Sequence, residues 1–213
     1  MSQELIDSYA LESSNLQLLG TRGSDGNYHE GRGGWTTSLY RTNQIYYGSG
    51  NPFFNPDKND FDFAYYMAQN GYSGLTDVIF QLGINDVFGL ENDNLMSGII
   101  KTITDYEALV QSVRAYDLNI QIGITVTIPP NASQLAFAKA YKTGQTQWMY
   151  KRNNAVWINQ LIEHFKGRES ENIRLIGQNA CIDTKTRIAD GVHPTVEGYQ
   201  ELGRVVYAYL KNN

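Results

Sequence analysis

Asp190-Gly191-Val192-His193-Pro194 places a carboxylate and an imidazole three residues apart in one short segment. An imidazole that takes a proton from a hydroxyl must be held in the right tautomer, and a carboxylate accepting from its other ring nitrogen does this. The same residues also suit a plain turn, since Asp and Gly are turn formers and His193 would then be an incidental surface residue. Gly83-Ile84-Asn85-Asp86 is a second segment of interest. An Asn side-chain amide is a neutral donor suited to an oxyanion developing in a tetrahedral intermediate, although a strand-ending turn explains the segment equally well. The third is Glu30-Gly31-Arg32-Gly33-Gly34-Trp35-Thr36. Its glycines let a backbone N–H approach a substrate with no side chain in the way, and a flexible loop is the plainer alternative. It is not a phosphate loop, because the Lys-Ser/Thr ending is missing.

These segments need elements to position them. Apolar runs bounded by Gly, Asn or Asp read as strands at 16–19, 78–82, 120–128 and 173–176. Helical patterns lie between them, at 105–116, at 147–165 with Trp148, Val156, Trp157, Leu161 and Phe165 as an inward face, and after Pro194-Thr195, where Tyr199, Leu202, Val206 and Tyr209 recur at helical spacing. Alternating strands and helices imply crossovers, a mainly parallel sheet and helices on both of its faces. In such sheets ligands sit beyond the carboxyl ends of the strands, and Asn85 follows the run at 78–82 in that way.

Taken together and in order, Gly34-Trp35-Thr36, Gly83-Ile84-Asn85-Asp86 and the Asp190/His193 pair resemble blocks two, three and five of the SGNH (GDSL-like) hydrolase family. The resemblance spans residues 16–210, and Leu19-Gly20-Thr21-Arg22 leading to His29 and Trp35 is similar to members of the family too. It implies a three-layer α/β/α fold with a mainly parallel, flavodoxin-like sheet, and the activity of a serine ester hydrolase. It also implies that His193 is the general base and then acid, that Asp190 orients it, and that the Gly34 N–H and the Asn85 amide line the oxyanion hole.

The family's first block, a Gly-Asp-Ser ending the first strand, has no counterpart in the sequence. Asp7-Ser8 fails as a substitute because residues 2–6 are too polar and too few for a buried strand, and Ser8 lies too close to residue 16 for a parallel crossover. Residues 3–11 read instead as the end of a crossover helix. Ser38 follows block two with no nucleophile-elbow signal. The expectation is a single domain over 1–213 that is incomplete at its N-terminus, with the first strand missing. That strand lies between the second and third in the family, so either another segment, a second copy or another chain fills the gap, or the 16–19 strand re-pairs.

With 41% hydrophobic and 18% charged residues the chain has the material for a core. The net charge of −5, with scattered Lys and Arg, argues against a nucleic-acid or anionic-membrane footprint. There is no apolar run long enough to span a membrane and no visible signal peptide, which reads as cytoplasmic by default and as secreted if the true start lies upstream. Cys181 stands alone, and His29, His164 and His193 lack zinc-ligand spacing, so neither metal nor cofactor is implied. His29 could contact a substrate or be satisfied by neighbouring backbone, and His164 reads as a solvent-facing helix residue. Tyr46, Tyr47, Phe53, Phe54 and Tyr65 could form a sugar-stacking wall or simply pack, and Pro129-Pro130-Asn131 could shape a cleft or be a rigid loop. The expected function is hydrolysis of short acyl esters, with O-acetylated carbohydrate favoured. The alternative is a catalytically inactive remnant or carbohydrate-binding module on the same scaffold.

Overall fold

The computed structural model describes residues 1–11, 16–141 and 145–212. In chain order the main elements are α1 (Ser2–Leu11), β1 (Phe54–Asn55), β2 (Asp60–Phe61), α2 (Phe63–Gln69), β3 (Asp77–Phe80), α3 (Ile84–Val87), α4 (Leu95–Tyr116), β4 (Gln121–Thr125), α5 (Gln134–Ala140), α6 (Gln147–Phe165), β5 (Ile173–Ile176) and α7 (Val196–Lys211). β4 lies between β3 and β5. β3 and β4 are parallel, with Val78 opposite Ile122. β5 runs the same way, because Ile122 N donates to Asn172 O and Val126 N to Ile176 O, an equal advance along both strands. The fold is therefore α/β around a parallel sheet, as the alternating pattern predicts. The chain forms two compact units.

The first unit comprises Met1–Gly31, Val126–Ala155 and Ile176–Asn213. α1 packs on α7, where Tyr9 meets Tyr207 edge-on at 5.2 Å and Arg204 Nε donates to Glu4 at 2.7 Å. Leu202 and Val206 of α7 are buried as their spacing predicts, while Tyr199 remains 38% exposed. Thr195 caps α7 by accepting the Gly198 N–H at 3.1 Å. Tyr150, Asn153 and Asn154 carry the buried face of α6 in this unit. Trp148, expected inside, falls out of phase with that face and is exposed, with Lys151 Nζ over its ring. Residues 16–19, expected as a strand, form none. Their leucines are only half-buried, and a lone extended segment without a ladder has nothing to hold it in strand geometry. The chain instead pairs just beyond, in the antiparallel bridge of Arg22 with His29.

The second unit comprises Arg32–Thr125 and Val156–Leu175. β4 is buried from Ile122 onward, whereas every residue of β3 is half-buried, and no described residue pairs with the other edge of β3. α4 starts at Leu95, a decade before the expected 105, and buries Ile99, Tyr106, Leu109, Val110 and Val113. Its early turns hold Ser97, Gly98, Thr102 and Thr104, weak helix formers whose two threonine hydroxyls bond back to Gly98 O and Ile100 O. At its other end the buried Arg114 donates to the carbonyls of Leu118, Ile120 and Glu171, fixing the turn into β4. Trp157, Leu161 and Phe165 of α6 are buried in this unit, and Tyr106 lies 6.2 Å from Trp157 and 5.5 Å from Phe165. Phe53 stacks on Phe61 and Phe63 and is buried, so this part of the aromatic stretch is packing.

Candidate active site

His193 and Asp190 share a tight loop in the first unit. Ala189 N donates to His193 O and Thr195 N to Arg187 O, both at 2.8 Å, so the loop closes on itself like a small hairpin. Asp190 Oδ1 accepts the N–H groups of Val192 and His193, each at 2.8 Å, and Asp190 Oδ2 lies 2.8 Å from His193 Nδ1. The turn and the orienting carboxylate are thus the same residue. Burial pushes the Asp190 carboxyl up, but the His193 and Val192 N–H groups and the imidazole outweigh it, holding the carboxyl below its ordinary range. Among the described residues nothing engages His193 Nε2, and the side chain is 64% exposed. The ring can therefore be held at one nitrogen and exchange a proton at the other.

Asn131 was not read from sequence as part of this arrangement, yet it braces the loop. Its N–H donates to Gly191 O at 2.9 Å, its Nδ2 to Ile188 O at 2.9 Å, and its Oδ1 accepts from Ser133 N at 2.8 Å. Gln147 Nε2 donates in turn to Asn131 O at 2.6 Å. The Pro129-Pro130-Asn131 segment is a rigid support in this structure, with Asn131 buried.

Gly34, Asn85 and Asp86 belong to the second unit. Trp35 N donates to Arg32 O, and Gly34 occupies the third position of that turn with φ 76°, which a side chain would strain. The Gly34 N–H has no hydrogen-bond partner among the described residues. Asn85 is exposed and donates one Nδ2 hydrogen to Trp35 O at 3.0 Å, leaving the other available. Gly83, ahead of it, has φ 111°, and a Cβ there would come 2.6 Å from the Trp157 indole, so only glycine lets the chain turn from β3 into α3. Asp86 anchors the first of these segments to the second: its Oδ1 accepts both the Thr37 N–H at 2.9 Å and the Thr37 hydroxyl at 2.6 Å. Burial raises the Asp86 carboxyl above its usual range, against the opposing bonds from Thr37.

The other sequence candidates separate cleanly. His29 Nδ1 accepts the Gly31 N–H at 3.1 Å, a loop histidine satisfied by backbone. His164 is an exposed residue of α6, solvent-facing as expected, and also pairs with Glu107 at 2.8 Å. Ser8 lies inside α1, and Ser38 precedes the short 3-10 turn Leu39–Arg41, its hydroxyl 3.0 Å from that of Thr36. Among the described residues no three His, Cys, Asp or Glu gather to hold a metal, and no helix is long and apolar enough to cross a membrane.

No protein-family profile and no curated protein matches the sequence. Solved structures do share the fold. A family 3 carbohydrate esterase from Clostridium thermocellum matches with a TM-score of 0.60 at 16% identity, over 98% of this chain and 84% of that one. A family 3 carbohydrate esterase from Talaromyces cellulolyticus gives 0.55 at 19%, over 99% and 87%. An acetyl esterase solved with an acetate ion gives 0.60 at 17%, over 99% and 87%. At these identities the likeness is one of fold alone, an α/β fold around a parallel sheet.

Proposed function

We propose that this chain carries the acid–base and oxyanion-binding parts of a serine ester hydrolase site for short acyl esters, with acetylated carbohydrate as the substrate class. The observation that carries this reading is the Asp190–His193 pair, with Nδ1 held at 2.8 Å and Nε2 open. In this reading His193 Nε2 takes the proton of an attacking serine hydroxyl and returns it to the departing alkoxide. It then activates a water in the same way to cleave the acyl-serine. Asp190 keeps the proton on Nδ1 in the resting state and favours the imidazolium that forms. The Gly34 N–H and the free Asn85 Nδ2 hydrogen are the oxyanion donors. Carbohydrate is favoured because solved structures of like fold include carbohydrate and acetyl esterases.

We assign the nucleophile to neither Ser8 nor Ser38, which sit in a helix and ahead of a 3-10 turn rather than at the end of a strand. The edge of β3 that no described residue pairs is where a further strand would add, from a second copy or from another segment. The placement of these two serines also favours a second reading, a carbohydrate-binding module that retains the scaffold without turnover. The test is acetate release from p-nitrophenyl acetate and acetylated xylan. Four proteins are compared: this chain, its His193→Ala and Ser8→Ala variants, and the chain extended upstream by an apolar strand ending in Gly-Asp-Ser. The esterase reading expects the chain to stay close to His193→Ala, and the extended form to exceed both by about 100-fold or more in a His193-dependent manner. A fast rate abolished by Ser8→Ala would reassign the nucleophile. An inert extended form that still binds xylan would favour the binding module.

A further inference from the structure

Tyr46 and Ser49 exchange both N–H···O bonds at 3.0 Å, closing a two-residue hairpin over Tyr47 and Gly48. Tyr47 has φ 47° and Gly48 φ 72°, the signature of a type I′ turn. Its first central position ordinarily holds Asn, Asp or Gly, and a bulky ring there is an outlier. Burial does not explain it, since Tyr47 is 82% exposed.

The hairpin is held from both ends. Arg32 Nε donates to Gly50 O at 3.1 Å, and Asn51 Nδ2 donates to Tyr40 O at 2.6 Å and Thr42 O at 3.1 Å. The Tyr46 and Tyr47 rings stand 4.5 Å apart and tilted by 57°. A Cβ on Gly34 would lie 3.0 Å from Tyr46 Cε1 and 3.0 Å from Tyr47 Cε2, so the rings border the glycine whose N–H is open. The result is a fixed, exposed aromatic surface with polar hydroxyl tips beside a backbone donor.

We infer that Tyr46 and Tyr47 form a stacking subsite for a neutral sugar ring next to the acyl-binding position at Gly34. A pyranose offers an apolar C–H face to an aromatic ring while its hydroxyls stay hydrated, and it needs neither a charged partner nor a deep apolar cavity. The identity of the ligand rests on the proposed function, whereas the subsite itself rests on the hairpin geometry.

Xylohexaose, which carries no ester, tests the subsite without turnover, by titration of the 213-residue chain followed by ligand-observed NMR. Tyr47→Asn suits the turn better than tyrosine, so it should raise the melting temperature while weakening xylohexaose binding by about five-fold or more. Tyr47→Phe should keep binding within about two-fold, since the ring is retained. A merely structural tyrosine would move stability and binding together. Unchanged binding by Tyr47→Asn, or no binding by the parent chain, overturns the subsite. Binding that depends on Tyr47, with no acetate release by the extended chain, supports the subsite and overturns only the esterase reading.

Discussion

Asn131 shows how much the His193 loop depends on a residue that touches no reacting atom. Its amide reaches Ile188 O across 57 residues of sequence, and both groups are buried. Asn131→Ala would leave that carbonyl without its donor, which costs roughly 2 kcal/mol. Urea unfolding should show this loss, and the Ala189 amide, bonded to His193 O, should exchange faster with solvent. Equal stability and unchanged exchange would deny Asn131 its bracing role. Asp190, His193 and Asn85 were legible as candidates because their types and local spacing carry the chemistry. Asn131 and Thr37 were not, since each acts through a partner far along the chain, 49 residues away for Thr37 and Asp86. Tyr47 was legible as an aromatic but not as a turn residue, because its position defies turn preference.

At the scale of elements, Glu107 joins α4 to the end of α6. Its carboxylate accepts from Arg168 at 2.7 and 3.1 Å, from Gln111 at 2.6 Å and from His164 at 2.8 Å. Burial pushes Glu107 up, yet these bonds outweigh it and hold its pKa at about 2, against an ordinary 4.5. A carboxyl with a depressed pKa contributes stability above its unfolded value and loses it as pH falls through the folded one. Glu107→Gln should therefore cost about 1–2 kcal/mol at pH 7, with the difference from the parent shrinking as pH drops from 4.5 toward 2. Thermal melts across that range check it, and a constant difference would contradict the assignment. Element by element, α6 and β5 matched the bounds their sequence patterns predict, and β5 is a short apolar run, but the inward face expected for α6 held only for its second half, with Trp157, Leu161 and Phe165 buried. The start of α4 did not, since tertiary burial of Ile99 and Thr102 overrides the weak helix propensity there. Residues 16–19 misled because a short apolar run has no strand identity apart from its neighbours.

For the whole molecule, the edge of β3 that no described residue pairs is the feature with the widest reach. A half-buried strand edge that no described strand pairs, as in β3, tends to recruit partners. Light scattering coupled to size-exclusion chromatography should find the 213-residue chain self-associating as its concentration rises. A monomer at every concentration, with β3 amides exchanging freely, would show the edge is tolerated alone. The parallel sheet was foreseeable from alternating patterns, but the division into two units was not, because their boundaries fall within continuous sequence and even within α6. The placement of the tryptophans gives this division an optical signature. Trp35 and Trp157 are buried in the second unit at 2% and 0% exposure, while Trp148 of the first is 69% exposed. Intrinsic fluorescence should then shift to the red as the second unit opens and remain nearly blind to the first, whereas far-ultraviolet circular dichroism follows the helices of both. Two midpoints instead of one would mean that the units melt separately, and that a signal from the indoles alone would overlook the state of the loop bearing His193.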